Sequence, residues 1–286
     1  MYCTCIEGTA MKDLIHQIRL AKQALGPWSG MRFAARQLIS KDDERIGLSV
    51  FENGRKYRMF ARSRSTDLLV FTQIFTRAEY EFSQWTPYYE YTKGCYEQIL
   101  SAGRQPLIID AGANAGYSAI WFALRFPRAR ILAIEPDPEN YKLLVENVAS
   151  FEGITPVEAA LWDEPARLSV VDGNSGAWGR RFHEFESGSG VATVTVPELL
   201  ENNPESSPFI MKIDIEGAET KLLRSNTAWV ATFPLIIFEP HDMLFPWYGT
   251  WQGSSHSFFS ALSSCKREYL IRGENIFAFR FPEEHL

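Results

Sequence analysis

The chain is short of cysteine, of net positive charge and of long apolar runs, and each shortage removes a class of function. Its 286 residues hold four cysteines, at positions 3, 5, 95 and 265, whose spacing forms neither a zinc-ribbon ligand set nor a disulfide framework. Cys3 and Cys5 read as part of a frayed terminus, not as a metal clip. A net charge of −6, with an isoelectric point near 5.5, argues against a broad nucleic-acid footprint and leaves room only for local basic patches. No stretch approaches the ~18 apolar residues of a membrane helix. The opening MYCTCIEG lacks a basic segment followed by a long apolar one. The expectation is a cytoplasmic protein with no membrane span and no nucleic-acid partner.

What is present suits a globular enzyme with one main domain and an extension: 45% hydrophobic residues, 22% charged, 19 Gly and 15 Pro. The organising stretch is Leu107 to Ser118, LIIDAGANAGYS. Leu107 to Ile109 reads as a strand that reaches Asp110, a loop follows with Gly112 and Gly116, and Ala115 to Phe126 has helical periodicity. Glycines without Cβ let a ligand approach the backbone, and the helix's first free N–H groups favour an anion. The spacing departs from the dinucleotide fingerprint G-x-G-x-x-G, because Ala113, Asn114 and Ala115 separate the two glycines. A carboxylate at Asp110 repels a pyrophosphate but pairs with an ammonium group, while the helix start can take a carboxylate. An amino acid carries both groups, and S-adenosylmethionine is an amino acid joined to a nucleoside. Glu135, closing the run Ile131 to Ile134, is placed to accept both ribose hydroxyls.

In chain order, Asp13 to Leu25 and Met31 to Ser40 have helical periodicity broken by Gly26-Pro27. Ile46 to Phe51 and Tyr57 to Arg62 flank Asn53-Gly54, which predicts a β-hairpin with a type I′ turn. Arg55, Lys56, Arg58, Arg62 and Arg64 make it the most basic part of the chain, either a solvated face or a dock for a phosphate-bearing substrate. Thr66-Asp67 opens a capped helix over Leu68 to Phe75, and Lys93 to Ala102 forms a last helix before the core. The Gly103 to Pro106 break sets the expected division: an extension over 1–103, for substrate or homo-oligomer contacts, and a catalytic domain over 104–286.

From Leu107 strands and helices alternate, which predicts an α/β fold with a doubly wound, mostly parallel sheet. Pro138 to Ser150 reads as a helix and Ile154 to Ala160 as the third strand. Ala160, Leu161, Trp162 and Asp163 then stand at that strand's end, where Trp162 either stacks on an adenine or packs in the core, and Asp163 can accept from an adenine amino group. Asp172 to Gly190, rich in glycine and serine, reads as a lid or substrate loop. Phe209 to Ile213 runs into Asp214-Ile215-Glu216-Gly217, and Pro234 to Phe238 into Glu239-Pro240-His241. These carboxylates share a sheet edge with Asp110 and Glu135, and crowded carboxylates need a cation or a proton. Glu219 reads as decoration of the following helix. Phe245, Trp247, Tyr248 and Trp251 offer flat faces for a sugar ring, or core cover. Glu268 to Arg272 and Ile276 to Arg280 read as a closing hairpin.

Taken together, IIDAGANAGYS, ILAIEPDPENYKLLVENV, the Ala159-Ala160-Leu161 segment, IMKIDIEGAE and IIFEPH resemble the successive motifs of FkbM-type S-adenosylmethionine-dependent methyltransferases. The resemblance spans about Pro106 to Arg280, with a weaker match in Thr66-Asp67 and Phe75 to Tyr80. It implies a Rossmann-like class I methyltransferase fold with a seven-stranded sheet and O-methylation of a sugar, glycan or secondary metabolite. Carried onto this sequence, cofactor contacts fall on Asp110, Gly112, Asn114, Gly116, Glu135, Ala160 and Trp162, and the transfer site on Asp214, Glu216, Glu239 and His241.

Methyl transfer needs an oxygen aligned with an activated methyl, exclusion of water and removal of a proton. One expectation makes His241, polarised by Glu239 or Asp214, the base for the acceptor hydroxyl. A competing version makes Asp214, Glu239 and His241 ligands of a divalent metal that acidifies the acceptor. The alternatives are a non-catalytic cofactor-binding module, or a methyltransferase for nucleic acid or protein. Against a base-flipping enzyme, Asp214-Ile215-Glu216-Gly217 stands where a proline-aromatic segment is expected.

Overall fold

The computed structural model describes residues 45–63, 65–171, 181–184, 190–242 and 253–280. The helices expected over 13–25 and 31–40 and the aromatic run 245–251 lie outside them. The chain divides into two compact units, Met1–Glu79 and Tyr80–Leu286.

In the first unit, strands β1 (Arg45–Glu52) and β2 (Arg55–Arg62) form the expected antiparallel hairpin. Asn53 and Gly54 both take positive φ, 50° and 75°, as a type I′ turn requires. Leu48, Met59 and Ala61 supply its buried face. Helix α1 (Asp67–Phe71) follows and runs into a π-helical turn, Thr72–Thr76. The expected Thr66 cap is not made: Thr66 has helical φ and no side-chain cap bond. Asp67, fully buried, instead accepts from the Arg62 backbone at 2.7 Å and from its guanidinium at 2.9 and 2.7 Å, tying helix to hairpin.

The second unit opens with α2 (Thr86–Ser101), longer than the sequence suggests because its aromatic first turns pack as helix. Then come β3 (Gln105–Ala111), α3 (Tyr117–Arg125), β4 (Arg130–Ile134), α4 (Pro138–Val148) and β5 (Ile154–Val157). Two small strands, β6 (Ala160–Leu161) and β7 (Arg167–Val171), precede β8 (Arg181–Glu184) and β9 (Val191–Val194). The chain continues through α5 (Val196–Glu201), β10 (Ser206–Ile213), α6 (Glu219–Leu222), β11 (Leu235–Phe238), α7 (Ser254–Leu262), β12 (Glu268–Arg272) and β13 (Asn275–Phe279).

Seven strands form one sheet in the order β12-β13-β11-β10-β3-β4-β5. The pairings β11–β10–β3–β4–β5 are parallel and the β12–β13 hairpin joins antiparallel to β11. Connections run outward in both directions from β3, so the sheet's switch point lies between β3 and β10, where open α/β sheets bind ligands at the strands' carboxyl ends. Helices cover the sheet because its central strands are continuous apolar runs: Leu107, Ile108, Ile109, Ile131, Ile210 and Met211 are all buried. On one face Phe258 of α7 stacks on Phe238 of β11, centroids 4.1 Å apart.

Two sequence expectations change. Ile154 to Ala160 is not one strand: β4–β5 pairing ends at Ile134↔Val157, the Ala159 N–H turns back to the Val157 carbonyl at 3.1 Å, and Ala160–Leu161 pairs with β9 in a separate four-stranded sheet, β6-β9-β7-β8. The glycine-rich stretch 172–190 also contains a strand, β8, antiparallel to β7; its flanks lie outside the described residues.

Candidate active site

A cleft opens at the carboxyl ends of β3, β4 and β10, the place where open α/β sheets bind ligands. Gly112 and Asn114 line it with Ile134 to Asp137, Asn140, Ala160 to Trp162 and Asp214 to Glu216. Of the cofactor residues expected from sequence, Gly112, Asn114, Glu135, Ala160 and Trp162 stand on this wall; Asp110 and Gly116 do not.

Gly112 has φ +77°, and a Cβ there would overlap the Asp214 carbonyl oxygen. Its bareness therefore serves the close passage of the β10 end, not only ligand approach. Gly116, φ +86°, would press an added Cβ to 2.7 Å from the Leu144 side chain, so it admits α4 against the start of α3. Asn114 adopts φ 48°, a conformation asparagine tolerates better than most residues. Its amide N–H donates to Glu135 Oε2 at 2.8 Å, while its buried side-chain Oδ1 has no hydrogen-bond partner.

Glu135 is held from both sides. Oε1 accepts from the Asp137 N–H at 3.0 Å and from Asn140 Nδ2 at 3.3 Å. Burial outweighs these bonds and pushes the carboxyl up to about 7. Asp137 caps α4, accepting from the Glu139 and Asn140 N–H groups at 2.9 Å each.

Asp110 is fully buried. One oxygen takes the Ser118 hydroxyl at 2.6 Å and the other lies 3.2 Å from Lys212 Nζ. Lys212, to which the sequence motifs assign no role, reaches the same place. Only 2% exposed, its ammonium donates to the Gly112 carbonyl at 2.8 Å and lies 3.2 Å from Asp214 Oδ2. It thus joins the cofactor loop to the end of β10. Asp110 and Asp214 hold its proton well above the ordinary lysine range despite burial. A lysine inside the apolar run Phe209 to Ile213 was the available signal, since lysines are almost never fully buried unless paired.

Asp214, Glu239 and His241 do come together. The Asp214 N–H bonds to the Ala111 carbonyl at 3.2 Å and the Glu239 N–H to the Ile213 carbonyl at 3.0 Å, continuing the ladder past the strands and aligning both carboxylates along one edge. His241 Nε2 lies 3.6 Å from Asp214 Oδ1 and 3.8 Å from Glu239 Oε1. The group that orients the ring is neither of these. Nδ1 is 2.7 Å from Glu219 Oε1, and Glu219 also accepts from the Ile215 N–H at 3.2 Å and the Gly217 N–H at 2.8 Å. Far from decorating a solvent face, Glu219 is completely buried.

This edge holds more carboxylates than cations. Glu216, at φ 50°, is pushed up to about 8 by burial and by Asp214, and Glu239 to about 8 by burial and by Asp214. Burial opposes charge on His241, but the Glu219 hydrogen bond and charge, with Asp214 and Glu239, push it up to about 9.

Trp162 is buried, with Lys221 Nζ 5.9 Å from its ring centroid. Asp163 does not line the cleft: it accepts from Ser225 Oγ at 3.0 Å and lies 3.7 Å from Lys221 and 3.6 Å from Arg224. Its Oδ2 is thus engaged by the protein, and the side chain stands off the cleft wall on which an adenine contact is expected.

The chain is 26% identical over 141 residues to the hexuronic acid methyltransferase AglP of Haloferax volcanii, covering 49% of this chain and 58% of that one. It is 38% identical over 169 residues to the methyltransferase sdnD of Sordaria araneosa, covering 47% and 65%. The match thus spans less than two thirds of either relative. Among solved structures, the methyltransferase FkbM of Methylobacillus flagellatus KT is similar at 16% identity and a TM-score of 0.39, over 61% of this chain and 43% of that one. The family model for the methyltransferase FkbM domain matches residues 110–260, more than half of the sequence, and the chain belongs to that family.

Proposed function

We propose that the chain transfers a methyl group from S-adenosylmethionine to a hydroxyl of a small-molecule or glycan acceptor. The observation that carries this reading is the cleft at the sheet's switch point. It pairs a carboxylate fixed by three N–H donors, Glu135, with a buried amide oxygen in want of a donor, Asn114 Oδ1. These features fit the cofactor. Glu135 keeps a lone pair on Oε2 for a ribose hydroxyl, Asn114 Oδ1 accepts from the ammonium, and the Trp162 indole and Ala160 supply an apolar wall for the adenine. Bound there, the cofactor supplies an electrophilic methyl on a sulfonium.

The acceptor end is the edge formed by Asp214, Glu239 and His241. Its role is to hold the acceptor oxygen in line and to favour loss of its proton. As the O–CH₃ bond forms the S–CH₃ bond breaks, its electron pair goes to sulfur, and the acceptor proton leaves to solvent. Residues 1–103 are the expected seat of acceptor choice or self-association. AglP, named for hexuronic acids, makes sugar acids the first acceptors to test.

The test is transfer of isotopically labelled methyl into a panel of uronic acids, neutral sugars and glycans. Label on a hydroxyl oxygen, lost in His241→Ala while cofactor binding persists, supports the reading. Label on nitrogen or carbon overturns the oxygen assignment. Cofactor binding with no transfer to any acceptor favours the non-catalytic module.

A further inference from the structure

We propose that Asp214, Glu239 and His241 form a site for one divalent cation of the Mn²⁺ class, with Glu219 holding the imidazole in its ligating orientation. One ligand atom from each of the three residues lies within 4.8 Å of the others, the only such group among the described residues. Separations of about 3 to 4.5 Å are what oxygen and nitrogen ligands show around an ion they touch at about 2.1 to 2.3 Å. The pairs His241 Nε2 to Asp214 Oδ1, 3.6 Å, and to Glu239 Oε1, 3.8 Å, are too long for hydrogen bonds and of the right length for neighbours in a coordination shell.

The histidine supplies the independent observation. It is 7% exposed, its Nε2 makes no hydrogen bond, and that nitrogen is aimed into the gap between two carboxylates. Behind it, Nδ1 meets the Glu219 carboxylate at 2.7 Å. Metal-bound histidines are commonly backed in this way, the second nitrogen donating to a carboxylate that fixes tautomer and ring plane. Glu219 cannot swing away, because the Ile215 and Gly217 N–H groups hold both of its oxygens.

Lys212 does not occupy the site. It sits by Oδ2 of Asp214 and leaves Oδ1 toward the histidine, and its charge is matched by Asp110 at 3.2 Å. Asp214, Glu239 and Glu219 therefore crowd one imidazole, which is the group each of them meets here. Two carboxylates and an imidazole suit Mn²⁺, Fe²⁺ or Zn²⁺ better than Mg²⁺ or Ca²⁺, which favour oxygen alone. Of the three, Asp214 also lines the cleft, and an ion held by this set would acidify the O–H of an acceptor that reached it. That last role rests on the methyltransferase reading; the binding of the ion does not.

The experiment is titration of the chelator-stripped, cofactor-free protein with Mn²⁺, following free Mn²⁺ by electron paramagnetic resonance. One ion per chain is expected, with affinity falling at least tenfold in Glu239→Gln and His241→Ala and about 10- to 100-fold in Glu219→Gln. Because variants can misfold, the wild type carries its own readout: electron spin-echo modulation from an imidazole nitrogen on the bound Mn²⁺. Absence of binding, binding unchanged in Glu239→Gln and His241→Ala, or bound Mn²⁺ without nitrogen modulation overturns the proposal. Separate titration with S-adenosylmethionine distinguishes the two failures: cofactor binding without Mn²⁺ binding defeats only the metal site, and the converse defeats only the methyltransferase reading.

Discussion

Glu219 and His241 meet in the protein interior at 2.7 Å, carboxylate to Nδ1. They are brought together from different segments, one at the start of a single-turn helix after β10 and the other just beyond β11. Glu219 also accepts two N–H groups of the turn that carries Asp214, so a single side chain sets both the imidazole and the carboxylate it faces. Replacing it with Ala leaves these donors unmatched, at about 1 to 3 kcal/mol for each buried group. Glu219→Gln keeps the volume and part of the bonding. In thermal unfolding Glu219→Ala should lose clearly more stability than Glu219→Gln. Equal and small losses would contradict the buried, bonded role.

Lys212→Met strands Asp110 and Asp214 without their shared cation. Removing one partner of a buried ion pair costs about 3 to 5 kcal/mol. The double variant Lys212→Met/Asp110→Leu should recover a large part of that loss, which a denaturant double-mutant cycle measures directly. A double variant no more stable than Lys212→Met alone would show that Asp110 is not the partner that matters.

Gly112→Ala places a Cβ against the Asp214 carbonyl at a positive φ. Backbone strain of this kind costs about 1 to 3 kcal/mol even without a clash. The variant should lose stability and most cofactor affinity together. Gly54→Ala, also at positive φ but with nothing near its Cβ, should carry only the strain and leave cofactor binding intact.

Stability should fall with rising pH. In the cofactor-free protein Glu135, at about 7, and Glu216 and Glu239, at about 8, bind more protons folded than unfolded. Their ionisation in the folded state therefore counts against folding increasingly as pH rises above the unfolded carboxylate range. His241, at about 9, has the same sign: its contribution is complete below the unfolded value near 6.5 and is lost as pH rises through 9. Melting temperature should decline between about pH 6 and pH 9, and bound cation should flatten the decline. A melting temperature that rises across that window would contradict this electrostatic account.

Much of the fold was legible in the sequence, because its signals are local. Asn53-Gly54 announces its turn, and the apolar runs ending in Asp110, Glu135, Asp214 and Glu239 announce parallel strands and the edge they share. What escaped was set by tertiary contact. Glu219 has the sequence context of a solvent-facing helical carboxylate, and only the approach of His241 from another strand makes it interior. Asp110 looks like a ligand contact at a strand end, but Lys212 from the next strand reaches it first. The break after Val157 depends on where β4 stops offering partners, which no property of Ile154 to Ala160 reveals.

The most direct test of the central claim is calorimetric titration of the folded protein with S-adenosylmethionine, beside Glu135→Ala. The account predicts one site per chain with micromolar affinity in the wild type. It also predicts loss of at least about 2 kcal/mol of binding energy in the variant, the scale of hydrogen bonds to a charged group. No binding to folded wild-type protein, or equal binding to Glu135→Ala, would contradict the assignment of this cleft to the cofactor.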